Sequence, residues 1–110
     1  MKWYNYLACF FSGVFLTNSL LHLVHGINGD AFPTPFANPP GTGLSSPVVN
    51  VGWAVLNLVI GTILLQKGKI SFDNKYTTVL FIGGVGLFGL LLSLMAQSVL
   101  INYKHSITIK

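Results

Sequence analysis

The chain has 110 residues, 52% of them hydrophobic and only 7% charged, with a formal net charge of +4. A soluble domain carries about 25% charged residues, and six lysines with two aspartates cannot clothe a core in water. That excludes an ordinary soluble domain and leaves a single membrane domain over residues 1–110. The positive charge is all lysine and falls at the ends of apolar runs, where membrane topology places it. Arginine and aromatic–basic interleaving are missing, so the balance does not point to nucleic acid.

The first apolar run, residues 3–24, would extend about 33 Å as a helix, enough for a hydrocarbon core of about 30 Å. Its length argues for a span rather than a signal peptide. Cys9, the single cysteine, forms no internal disulfide and reads as a small packing residue. The second run, residues 48–65, would cover about 27 Å and stand nearly upright. Pro47 suits a first-turn position, and Ser45 or Ser46 is the expected N-cap. The third run, residues 77–101, would reach about 37 Å and must tilt or project. Tyr76 and Tyr103 bracket it, as Trp3, Tyr4 and Tyr6 do the first run.

The 66–76 connection carries three lysines and the 25–47 connection none. Lysine-rich loops stay cytoplasmic, so the N-terminus is expected inside, with the 25–47 loop and the 102–110 tail outside. Lys104 and Lys110 on that tail run against this orientation. The expected fold is all-α integral membrane: three transmembrane helices with an ordered Pro/Phe-rich outer loop between the first two. The tail is expected to be loose, with His105 a solvated surface group, and Asp73 a cap or turn residue.

Residues 84–89, "GVGLFG", match the dinucleotide fingerprint but lack its strand, its helix start and its acidic partner. Packing is the better reading. Gly86, Gly89, Ser93 and Ala96 recur at three and four positions and share one helix face, as close helix contacts in lipid require. Cys9, Gly13 and Thr17 form a shorter version on the first span.

Asn18, His22 and His25 fall within an arc of about 60° on the first helix. Asn50, Trp53 and Asn57 share an arc on the second, with Gly61 continuing it, and Ser93 and Gln97 sit one turn apart on the third. Polar groups in spans usually face the bundle interior. These eight residues are therefore expected either to hydrogen-bond one another or to line a ligand site near the outer face. Phe32 and Phe36, stiffened by Pro33 and Pro35, are expected to fold back as a lid over them.

Three functions follow. The leading one is a small, non-enzymatic membrane protein, expected to act as an oligomer, whose His/Asn pocket binds or passes a small ligand, with no cofactor expected. The second is a metal- or haem-binding redox or catalytic subunit using His22 and His25, with Asp30 as a further ligand. The third is an accessory subunit whose third helix binds a partner span in a larger complex. No span contains Asp, Glu, Lys or Arg, which disfavours a proton pump. No nucleophile–histidine–acid order or paired carboxylates suggest catalysis.

Overall fold

The structure, a computed structural model, describes the backbone of residues 1–109 and the side chains of 1–98, 101 and 104. It holds three helices: α1 (Trp3–Ile27), α2 (Pro47–Lys67) and α3 (Lys75–Ile109). All three are long and apolar enough to cross a membrane. Each runs past the apolar stretch that marks it in the sequence, because backbone hydrogen bonding continues until a cap or breaker intervenes. Ser46 accepts a hydrogen bond from the Val49 N–H, with Pro47 at the first helical position. Asn74, beside Asp73 in the turn, caps α3 by accepting from the Tyr76 N–H. The segment after residue 101 is helical to Ile109, not loose. Neither glycine nor proline occurs from Leu90 onward, so nothing there stops the helix. The side chains of Tyr103 and His105 lie outside the described residues.

α1 is the central element. It packs antiparallel against α2 along its length and parallel against α3, while among the described residues α2 and α3 do not touch. Both contacts depend on small residues. Gly84 of α3 lies against the Phe10 carbonyl, and Gly13 of α1 lies against the backbone of Phe81 and Val85. No side chain fits at either point. Gly89 only grazes Thr17, and an atom added at Gly86 would meet open space. The seam on α3 thus centres on Gly84, and Gly86, Ser93, Ala96 and Gln97 face outward.

Burial is inverted relative to a soluble protein. The buried side chains include Asn5, Ser12, Ser19, His22, Asn50, Asn57 and Thr77, and the buried hydrophobic residues are Cys9, Ala37 and Ala54. Leucine, isoleucine and valine cover the outside, among them Leu58, Val59, Ile63, Ile82, Leu87 and Leu90. In water each such exposed side chain would forgo roughly 1.5–3 kcal/mol. In lipid that cost disappears, and polar groups belong inside.

Replacing Gly84 or Gly13 with leucine forces α3 off α1, an overpacking cost of about 1–3 kcal/mol. Gly86→Leu should change nothing. Thermal unfolding in detergent, followed by circular dichroism, is expected to lower Tm for the first two variants only.

Candidate functional site

α1 and α2 meet through residues that alternate by three and four. On α1 these are Asn5, Cys9, Ser12, Leu16, Ser19, Leu23 and Gly26. On α2 they are Pro47, Asn50, Ala54, Asn57, Gly61, Leu64 and Gly68. That spacing averages 3.5 residues and keeps one seam facing the partner helix. Its small members let the backbones approach. Gly61 packs against Leu16, Gly26 against Pro47 and Val51, and Gly68 against Cys9. Its polar members bond across it. The Ser19 hydroxyl donates to the Ala54 carbonyl at 2.7 Å. The Asn18 amide donates to Asn57 Oδ1 at 3.1 Å, and Asn57 donates to the Trp53 carbonyl at 2.8 Å. At the far end Asn5 Nδ2 donates to the Lys67 carbonyl at 2.8 Å, and the Cys9 thiol donates to the Gly68 carbonyl at 3.2 Å.

The densest polar cluster lies where the 28–46 loop crosses the hairpin. Asn50 is fully buried there. Its Nδ2 lies 3.0 Å from the Phe32 carbonyl, 3.1 Å from that of Ser46 and 3.3 Å from that of Ser45. Carbonyls only accept, so they fix the amide's orientation and leave Oδ1 as an acceptor. His22 Nδ1, 2.7 Å away, must therefore be the donor. In the neutral ring Nε2 is then the acceptor.

The loop is tied on by short-range bonds. Phe32 and Ser45 exchange a pair of backbone hydrogen bonds at 3.1 and 3.0 Å. Thr34 Oγ1 and Ser45 Oγ are 2.5 Å apart, both buried. Thr34 also accepts at its carbonyl from the Ala37 and Gly41 N–H groups. Gly41 adopts φ +76°, a left-handed conformation that side chains disfavour. Two phenylalanines from this loop reach the helices. The Phe32 ring stacks on His25 at 4.0 Å between centroids and meets the His22 edge at 5.5 Å. Phe36 packs edge-on against Trp53 at 5.3 Å, though 68% of it stays exposed.

His25 differs from the other polar residues of the cluster. Its Nδ1 is enclosed yet has no hydrogen-bond partner. Asp30 Oδ2, at 3.6 Å, is too far for a hydrogen bond and close enough for an ion pair with a protonated ring. Asp30 itself is held by its backbone N–H, which donates to the His25 carbonyl at 2.9 Å.

Of the eight residues singled out by sequence, the fold brings Asn18, His22, His25, Asn50, Trp53 and Asn57 onto the α1–α2 interface or its loop end. It does not bring in Ser93 and Gln97, which face outward on α3. The cause is the arrangement of the helices: among the described residues α3 touches only α1, on a different face. Nor do His22, His25 and Asp30 make a metal centre. His22 Nδ1 is committed to Asn50 and Phe32 packs against both rings. Among the described residues no three His, Cys, Asp or Glu side chains gather around one point. Ser19, Thr34, Ser45 and the Asn5–Cys9 pair join the network without having been singled out. The three–four alternation of small and polar residues is the signal that marks most of them.

The arrangement defines a three-helix, α-helical protein with a polar interior seam and an apolar exterior, its hairpin closed at one end by an aromatic loop. Compared with known protein families, with curated proteins and with solved structures, the chain has no match.

Asn50→Ala leaves His22 and the carbonyls of Phe32, Ser45 and Ser46 without their partner, at a cost of about 1–3 kcal/mol per buried group left unpaired. Asn18→Ala removes one interhelical bond worth about 0.6 kcal/mol. Limited proteolysis should cut the 28–46 loop much faster in Asn50→Ala than in Asn18→Ala or wild type.

Proposed function

We propose that the chain is a non-enzymatic, three-span integral membrane protein that binds a small polar ligand at the loop end of its hairpin. The inverted burial supports the membrane reading. The division of the cluster into spent and unspent groups supports the binding reading. His22, Asn50, Asn18 and Asn57 satisfy one another and act as a latch. His25, Asp30, Trp53 and Phe36 stay partly exposed around it. One observation carries the proposal: a histidine nitrogen enclosed without a hydrogen-bond partner, beside a carboxylate and under a stacked ring. A ligand with a donor or acceptor group would complete it, and Phe32 and Phe36 would form its lid. In this reading Lys67, Lys69 and Lys75 hold the short α2–α3 connection on the cytoplasmic side. The 28–46 loop then lies outside.

Gln97 favours assembly as part of the same reading. An exposed amide on an apolar helix has no partner in lipid, and a second copy or a partner subunit at this face of α3 would supply one.

Native mass spectrometry of detergent-purified wild type beside His25→Ala tests the binding reading. A bound small solute is expected in the wild type and not in the variant, with Tm little changed. The same solute content in both would overturn it. Extraction of the protein from membranes by alkaline carbonate would overturn the membrane reading.

A further inference from the structure

The opposite end of the hairpin holds a feature that neither latch nor lid uses. Lys2 and Asn5 at the start of α1, with Gln66, Lys67 and Lys69 at the end of α2, surround an open hollow of 680 Å³. Tyr4 belongs to its wall and also opens an apolar groove of 430 Å³. Leu7, Phe11 and Phe15 of α1 and Ile60 and Leu64 of α2 line that groove. Hollow and groove therefore adjoin at Tyr4, the one rimmed by lysines and the other apolar along its length. Both are shallow, open concavities on the surface of the hairpin. From Tyr4 to Phe15 the groove runs about 16 Å along α1.

Its position follows from helix geometry. At about 100° per residue, Leu7, Phe11 and Phe15 lie to one side of the α2 seam. Phe10, Gly13 and Thr17, which meet α3, lie to the other side. α3 consequently leaves the groove's side of α1 free.

The hollow is built to attract anions. Among the described residues, Lys2, Lys67 and Lys69 make no ion pair. The carbonyls that end α2, at Lys67 and Gly68, would repel an anion, and Asn5 and Cys9 already cover them. The Lys2 ammonium stands 5.9 Å from the Tyr4 ring centre, at the junction of hollow and groove.

We propose that hollow and groove together bind one anionic phospholipid, its phosphate among Lys2, Lys67 and Lys69 and an acyl chain along the Tyr4–Leu64 groove. The inference rests on the membrane reading above. Charge complementarity selects the occupant. A zwitterionic lipid carries its own cation and gains little from three unneutralised lysines, whereas a lipid of net negative charge gains from all three. The apolar groove in turn separates a lipid from a free phosphate, which has nothing to place there.

The test is native mass spectrometry of the full chain with equimolar phosphatidylglycerol and phosphatidylcholine of identical acyl chains. One phosphatidylglycerol per chain is expected, preferred about tenfold. Lys2→Gln/Lys67→Gln/Lys69→Gln should bring the two lipids to parity. Ala8→Trp, which fills the groove, should reduce the retention of both. Inorganic phosphate should not compete. Equal retention of both lipids by the wild type, or an undiminished preference in the triple variant, would overturn the proposal. Displacement by inorganic phosphate would also overturn it, making the hollow a simple anion site. The wild-type comparison stands even where a variant fails to fold. Failure of the wild type to float with vesicles of phosphatidylcholine alone would instead sink the membrane reading, which separates the two failures.

Discussion

Asn50 has two N–H donors and one acceptor oxygen, and the fold uses all of them. Its donors hold the carbonyls of Phe32, Ser45 and Ser46, and its oxygen accepts from His22. One buried amide therefore joins three parts of the chain: the last turns of α1, the first turn of α2 and both strands of the loop's single bridge. Remove the amide and each part keeps its local structure but loses its relation to the others. The aromatic contacts follow from this. Phe32 sits between the histidines because its carbonyl is fixed by Asn50, and Trp53 meets Phe36 one turn further along α2.

The rest of the hairpin repeats the same solution with smaller parts. In lipid, apolar surface gains nothing by leaving one apolar neighbour for another, so helix association relies on close packing and hydrogen bonds. Five side-chain bonds cross from α1 to α2 or its cap: Asn5 to Lys67, Cys9 to Gly68, Asn18 to Asn57, Ser19 to Ala54 and His22 to Asn50. At an average of about 0.6 kcal/mol each they sum to about 3 kcal/mol. That is modest, and the glycines supply the remainder by letting backbones touch. Among the described residues the α1–α3 contact has one such bond, from the Asn74 amide at the cap of α3 to the Tyr6 hydroxyl at 3.5 Å, and otherwise rests on Gly13 and Gly84. It is the weaker of the two associations.

The helices were legible in the sequence because apolar length is a strong signal and lysines mark the ends. The histidine–asparagine pairing was legible in outline, since residues three, four and seven apart must share a face. Two things were not. Which helices touch depends on faces that apolar periodicity does not distinguish: Gly83, Gly84, Gly86 and Gly89 look alike on paper, and only Gly84 meets a backbone in close contact. The sequence therefore points Ser93 and Gln97 to a common interior that α3 does not share. The loop partners Thr34 and Ser45 were hidden for another reason. Their pairing is made by a turn whose closure depends on Gly41 and on backbone bonds to Thr34, and short polar residues in a loop carry no period. The seam itself could have been read. Asn50, Ala54, Asn57 and Gly61 alternate four, three and four, and Asn5, Cys9 and Ser12 do the same.

Helix geometry also relates the two ends of the hairpin. Trp53, Ile60 and Leu64 are seven and four residues apart, so they share one flank of α2. On α1 the flank that carries Phe11 and Phe15 continues, at the same spacing, into Asn18 and His22. The aromatic cap and the lysine-rimmed cleft therefore lie along one side of the hairpin, not on opposite sides. From Asn50 to Lys67 is about 26 Å along the helix, close to the thickness of a hydrocarbon core. In the proposed orientation the two ends stand at the two membrane surfaces, where polar and charged groups can meet water or headgroups. Between them the only polar side chains of the hairpin, Ser12, Thr17, Asn18, Ser19, Asn57 and Thr62, are mostly turned into the seam or bonded across it. A flank that is polar at both ends and apolar in the middle matches the profile of the bilayer itself. The same constraint that inverts the core thus sets where along the hairpin a recognition site can be built.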